Sequence, residues 1–229
     1  MVYKYTFLER IIMAFIDTAS NIFCIPSMFI LKKDEKIYEF YFAIFFFIVS
    51  FMYHFCESLD IVLFLPQLKW HELDNISCMF CMNQLILALT KFNYDLKYIR
   101  KANYLFVFLT LLFQQRGPWV IQNSLIPLLI YLFISFYQIY KYGLPNFNKN
   151  AIIKGGFISL IGLLFFYRGL DDLNDYLRIY HSLWHVFMGL ATFYLLQIQA
   201  KECLSFQQIY KYAAKELKFN QKRLSINSY

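Results

Sequence analysis

A chain of 229 residues that is 59% hydrophobic, 21% aromatic and only 16% charged does not have the composition of a soluble globular domain. Its formal charge of +7 would suggest nucleic acid in a soluble protein, but here the basic residues sit mostly between apolar segments, which excludes a nucleic-acid partner and implies membrane topology. Seven Gly, five Pro and no long polar tract leave little room for a second, soluble domain, so one all-α integral membrane bundle is expected over residues 1–200.

A bilayer core takes about 20 apolar residues per helix, with about 17 to 25 tolerated. Seven segments approach that length: 11–31, 37–56, 73–91, 98–115, 118–140, 151–167 and 178–199. No short charged leader with a small-residue cleavage site opens the chain, so the first segment is expected to be retained as a span. Gln114, Gln115 and Arg116 close the fourth segment, and Pro118 is expected to restart a helix, since proline suits the first helical turn. Beyond Lys201, "SFQQIYKYAAKELKF" alternates apolar and basic positions at helical spacing. Residues 201–229 are therefore expected to form a basic amphipathic tail on the cytoplasmic membrane surface.

Lys and Arg favour cytoplasmic loops, and this orients the bundle. With the N-terminus outside, the inner segments hold Lys32, Lys33 and Lys36, then Lys91, Lys97, Arg100 and Lys101, then Lys141, Lys149 and Lys154, then six from Lys201 to Arg223. Sixteen of the 22 basic residues thus lie inside, so a seven-transmembrane bundle with its N-terminus outside and C-terminus inside is expected. Such a protein is multi-pass, in the plasma membrane or an endomembrane. Of the five cysteines, Cys24, Cys56, Cys78 and Cys81 fall in or beside apolar segments and Cys203 in the tail, which is no disulfide framework. Cys78-x-x-Cys81 lacks the soluble context of a redox or zinc motif and reads as a pair of small buried residues.

Polar residues within the spans converge. The second helix runs outward and ends at "SFMYHFCE", with Ser50 and His54 in its last turns. The third begins at "HELDNIS", with Asp74 at its outer mouth, and the seventh runs inward with His181 and His185 in its first two turns. At a rise of about 1.5 Å per residue, all five fall within about 10 Å of the outer interface. Three of the four histidines at one depth, beside Ser and Asp, point to a metal, because ionisable residues inside a membrane are costly and mark functional sites. His181 and His185 project from one side of their helix, and His54 on a neighbouring helix completes a three-His set that leaves zinc a fourth position for water. Asp74 is the candidate to orient that water or take its proton, and Ser50 to donate a hydrogen bond to an oxyanion or hold a ligand.

Other polar positions carry weaker expectations. Asp17, about 9 Å into the first helix, is either an outer partner of the site or a headgroup contact, or else a carboxylate bonded to Ser20, Asn21 or a neighbouring helix. His71 is expected to be solvated on the polar run-in to the third helix. Asp171, Asp172 and Asp175 form an acidic run expected as a solvated face, with a gate over the site or a weak cation site as the alternative. The 19 Tyr and 27 Phe are expected mainly at the lipid and interfacial surfaces.

At the residues of this constellation the chain resembles the seven-span CREST superfamily, which groups alkaline ceramidases, adiponectin-type receptors and myomaker-like proteins. Ser50-x-x-x-His54, Leu73-Asp74 and His181-Ser-Leu-Trp-His185 match the superfamily's motifs in order and in helix position. "YHFCE" (Tyr53 to Glu57) and "HSLWH" are most similar to the myomaker-like branch, which also contains phospholipases acting on GPI-anchored proteins. The resemblance covers residues 37–200 in layout and about a dozen positions in detail. It implies zinc held by His54, His181 and His185, with Asp74 and Ser50 near the metal water, and hydrolysis of an amide or ester bond in a membrane lipid. The acidic, tryptophan-containing N-terminal motif of alkaline ceramidases is absent, which argues against a ceramide substrate.

Two function classes follow. One is a zinc-dependent integral-membrane lipid hydrolase. The other is a non-catalytic protein with a structural zinc site, either a myomaker-like fusion protein or a subunit or assembly factor of a larger membrane complex, which would take other membrane proteins as partners. A receptor or channel has less support, since no half-helix break or charged ring marks a pore in the sequence.

Overall fold

The computed structural model of the protein describes residues 5–90, 96–144, 146–171 and 174–198. The expected amphipathic tail, with Cys203, and Asp172 of the acidic run lie outside the described residues. Among the described residues every regular element is helical. In chain order they are α1 (Phe7–Ser20), a 3₁₀ turn (Asn21–Cys24), α2 (Ile25–Lys33), α3 (Ile37–Leu59), α4 (Gln67–Leu89), α5 (Leu96–Gln114), α6 (Gln122–Tyr142), α7 (Lys149–Gly169), a 3₁₀ turn (Tyr176–Arg178) and α8 (Ile179–Leu195). Four of the resulting rods are long and apolar enough to cross a membrane: Phe7–Lys33, Ile37–Leu59, Gln122–Tyr142 and Lys149–Gly169. That is the build of a membrane protein.

Local chemistry explains where these helices start, and several starts differ from the sequence expectation. Thr6 opens α1 with a reciprocal cap: the Glu9 amide donates to Thr6 Oγ1 (3.3 Å), and the Thr6 amide donates to Glu9 Oε2 (2.6 Å). The helix therefore begins at Phe7, four residues ahead of the apolar run. Helix α4 begins at Gln67 and not near residue 73, because Pro66 supplies the carbonyl that accepts from the Lys69 and Trp70 amides. The polar "QLKWHE" turn is helical, although its side chains mask that in a hydropathy reading. Pro118 does not restart a helix. It lies in a turn that precedes α6, where Gly117 takes φ +131°, its carbonyl accepts from Asn123 Nδ2 (2.8 Å), and the Pro118 carbonyl accepts from Asn75 Nδ2 (2.8 Å).

The first rod is broken, which the sequence reading did not anticipate. Pro26 lies in the first turn of α2 and cannot donate to the preceding carbonyl, so residues 21–24 tighten into a 3₁₀ turn. The turn sits against α8. A Cβ on Gly189 would meet the Phe23 carbonyl at 2.7 Å and the Cys24 amide nitrogen at 3.0 Å, so only glycine permits this backbone approach. Ser27 Oγ donates across the same contact to the Gly189 carbonyl (3.4 Å).

Helix α8 is seated on its other side by α7. Gly155, Gly162 and Gly169 recur every seven residues along α7, and a Cβ at each would press on Leu195, on Met188 and Phe187, and on the His181 backbone (2.9 Å to its nitrogen). Small residues that let helix backbones approach closely are the usual means of packing within a bilayer, where burial of apolar area drives little. On the far side of the bundle, Met79, Phe106 and Tyr131 join α4, α5 and α6 in an apolar cluster. Outward faces carry Phe133, Phe136, Phe157 and Leu164, all largely exposed, as a lipid-facing surface requires.

Gly189→Ala should lower the thermal midpoint of the detergent-solubilised protein, reflecting a loss of about 1–3 kcal/mol from overpacking against the turn. Gly156→Ala, where an added Cβ meets nothing within 4 Å, should leave the midpoint unchanged or raise it through about 0.5–1 kcal/mol of helix propensity.

Candidate metal centre

Helices α3 and α8 each bring histidine to the same point. Ser50, His54 and Ser58 follow one another at four-residue spacing on the buried face of α3. His181 and His185 are one turn apart at the start of α8. One ring nitrogen from each of His54, His181 and His185 lies within 4.8 Å of the others, and the ring centroids are 4.8–4.9 Å apart. The Nε2 atoms of His181 and His185 are 3.1 Å apart.

A metal ion fits these donors. His54 is fully buried, yet neither of its ring nitrogens has a hydrogen-bonding partner. Leaving such a nitrogen unpaired costs about 1–3 kcal/mol, and an ion shared with His181 and His185 would satisfy one of the two. Imidazole nitrogens on one tetrahedral ion at about 2.0–2.1 Å stand roughly 3.4 Å apart, close to the 3.1 Å of the α8 pair, so an ion would draw His54 inward from the 4.8 Å limit that encloses the three. His185 is 7% exposed, and His181 is the most open of the three.

The start of α8 is built by residues that sequence reading placed elsewhere. Leu177 and Arg178 take left-handed backbone angles (φ 55° and 57°), which turn the chain sharply into α8. Asp175 holds that turn. It is not a solvated loop residue but fully buried, and its carboxylate accepts from the amides of Tyr180 (2.8 Å) and His181 (3.0 Å). Two of the unpaired amides of the helix start are thereby satisfied, and His181 is fixed by its own backbone. Asp171 is exposed and accepts from Asn174 Nδ2 (2.6 Å), so the acidic run does not gather into a cation site among the described residues.

Glu57, one turn beyond Tyr53, joins the two histidine helices. Its Oε1 accepts from the Tyr53 hydroxyl (2.8 Å), while Oε2 pairs with Arg178 Nη2 (3.3 Å) and stands 3.7 Å from His54 Nδ1. A carboxylate behind the far nitrogen of a ligating histidine fixes its ring orientation and tautomer. "YHFCE" contained this residue, but nothing in the spacing linked it to Arg178, which is 121 positions away (178 minus 57).

Asp74 and Ser50 adjoin the triad without belonging to it. Asp74 is not among the donors that fall within 4.8 Å of one another. It is buried on α4, and its Oδ1 has no partner. Ser50 is fully buried and donates a long bond to Asn21 Oδ1 (3.4 Å), a residue delivered by the 3₁₀ break in the first rod. Asp17, a turn before Asn21, is fully buried; its Oδ1 accepts from Ser182 Oγ (2.5 Å) and its Oδ2 from Ser58 Oγ (3.4 Å).

His71 is half-buried. The α4 start that made "QLKWHE" helical lays its ring between Tyr53 (centroids 4.6 Å apart) and Trp119 (3.9 Å), with Nδ1 buried and unpartnered, outside the set of ligating donors. Cys78 and Cys81 are free thiols, as are Cys24 and Cys56, and none enters a cluster of three metal-binding side chains among the described residues.

A family described as "Protein of unknown function (DUF3522)" matches residues 9–186, a stretch that holds the whole constellation from Asp17 to His185. No curated protein matches the chain.

Asp175→Ala should lower thermal stability by about 0.5–2 kcal/mol through the lost helix cap. Asp171→Ala, at an exposed position of the same loop, should change it by less than about 0.5 kcal/mol. Equal effects in a thermal melt of the two variants would contradict the capping role.

Proposed function

The chain belongs to the DUF3522 family, and within that frame we propose that it is a zinc-dependent integral-membrane hydrolase acting on an amide or ester bond of a membrane lipid, of the CREST type. One observation carries the reading: three imidazoles from two helices, two of them buried and the third half-buried, meet with ring nitrogens within 4.8 Å, and those of His54 make no hydrogen bond. In this reading the seven rods are seven spans, with the N-terminus outside and the C-terminus inside, as the bias of Lys and Arg supports. The site then opens near the outer leaflet of the plasma membrane or an endomembrane.

Each residue has a chemical task. His54, His181 and His185 would hold the zinc, with Glu57 behind His54 Nδ1 and Asp175 behind the His181 amide keeping two of them in place. Zinc in such a three-histidine set acidifies water and polarises a carbonyl oxygen. Asp74 takes up the proton released by the attacking water, at the Oδ1 that no other group occupies. The Ser50 hydroxyl, only loosely held by Asn21 at 3.4 Å, turns to donate to the oxygen on which negative charge develops. Burial of these groups excludes bulk water and strengthens each of these interactions. A lipid is the substrate class in this reading because the rods that carry the site include ones long and apolar enough to lie in a membrane.

The second reading is non-catalytic. Asp17, with Ser58 and Ser182, and Glu57, with Arg178, already tie α3 to α8, so a zinc ion there would complete a structural pin. A myomaker-like fusion protein, or a subunit or assembly factor in a complex with other membrane proteins, would need no more than this.

Purified protein should contain about one zinc per chain, and His185→Ala should lower that below about one half. Asp74→Asn spares the ligands. It should retain zinc and fold while cutting release of lipid product, followed by mass, by about 10²- to 10⁴-fold. Full biological activity in a well-folded Asp74→Asn protein would favour the structural pin, and a zinc-free wild-type protein would remove both readings.

A further inference from the structure

Neither reading gives Asp17 a task toward the ion itself, although a carboxylate with no exposure in a membrane-spanning rod is among the most costly groups the protein carries. Its surroundings suggest one. Oδ1 accepts from Ser182 and Oδ2 from Ser58, so a single side chain on α1 holds a hydroxyl from α8 and one from α3. Ser20 Oγ donates to the Asp17 carbonyl (2.6 Å), and this anchors the turn that presents the carboxylate.

The two hydroxyls are placed beside the histidines. Ser182 lies between His181 and His185 on α8, and Ser58 is one turn beyond His54 on α3. No covalent or backbone link sets the distance between those two helices at this level. Beside the Glu57–Arg178 pair at the start of α8, the bridge Ser58–Asp17–Ser182 does, and each of its ends lies within one helical turn of a ring that would bind the ion.

We propose that Asp17 is a positioning residue for the three-histidine site: its carboxylate, by accepting from Ser58 and Ser182 at once, sets the α3–α8 separation at which His54 can share an ion with His181 and His185. This rests on the metal-binding reading and is independent of whether the protein is catalytic. Two alternatives give different results. Asp17 could act by its charge, as a long-range partner of the cation, or it could stabilise the fold alone.

Geometry and charge separate through two substitutions. Asp17→Asn removes the charge but keeps a bridge, since the amide oxygen can accept from Ser182 while the amide nitrogen donates to Ser58 Oγ. Asp17→Leu keeps the branched shape, with bulkier methyl ends, and removes both hydrogen bonds. Ser182→Ala breaks one arm with less risk to folding.

The experiment is a zinc titration of the full-length protein in detergent against a competing chelator, with thermal melts of the metal-free forms. Asp17→Leu should weaken zinc binding by about 10- to 100-fold, Ser182→Ala by less, and Asp17→Asn should stay within about threefold of wild type. Asp17→Leu in a Ser58→Ala, Ser182→Ala background should add little further weakening, because the bridge would already be gone. Equal losses in Asp17→Asn and Asp17→Leu would replace the bridge with a charge effect. Lower melting with unchanged zinc affinity in both Asp17→Leu and Ser182→Ala would reduce Asp17 to a structural group. Failure of the wild-type protein to bind zinc would instead overturn the metal reading itself.

Discussion

An imidazole nitrogen with no partner in a dry interior is expensive, and the fully buried ring of His54 has two. Around that constraint the rest of the structure falls into order. The ring is walled by α8, whose two histidines face it, and by α3, whose Ser50 and Ser58 continue its face above and below. Glu57 stands 3.7 Å from one of these nitrogens, and the other faces the histidines of α8, where three converging imidazoles could hold a metal ion.

Holding α8 in register is the second requirement, and three devices serve it. Along its length, the seven-residue ladder of glycines on α7 and the contact of Gly189 with the 3₁₀ turn bring backbones within a few ångströms of one another. At its start, Asp175 satisfies the amides of Tyr180 and His181 after a turn that forces two residues into left-handed angles. At its flank, Arg178 and Ser182 reach carboxylates on α3 and α1. Close approach limits sliding, the cap limits rotation, and the carboxylates limit separation. A site for an ion needs all three, because an error of about an ångström in one donor is enough to lose it.

The broken first rod obeys the same constraint. A proline that interrupts a membrane helix frees backbone groups that must find partners. Here the 3₁₀ turn meets them internally and uses the distortion to aim Asn21 at Ser50 and to fit against Gly189. The break lies at the depth of the histidines, so one local defect serves both helix packing and the polar environment of the site.

Much of this was legible in the chain itself. Apolar runs of span length, broken by basic loops, carry the all-helical architecture, because a helix is the simplest way to pair a backbone within lipid. The four-residue spacings Ser50–His54 and His181–His185 carry the convergence of three histidines, because helical geometry turns spacing into a shared face. What the sequence could not carry was contact between distant positions: Glu57 with Arg178, Asp17 with Ser58 and Ser182, and Asp175 with the amides of α8. These depend on the angle and offset at which helices cross, which no periodicity encodes. The same holds for His71 and Asp175, whose polar neighbours in sequence suggested water, while Tyr53 and Trp119 cover part of the one ring and the folded-back turn buries the other side chain. Residue type and spacing determined which groups share a face, and only the packing of α1, α3, α4 and α8 decided which faces meet.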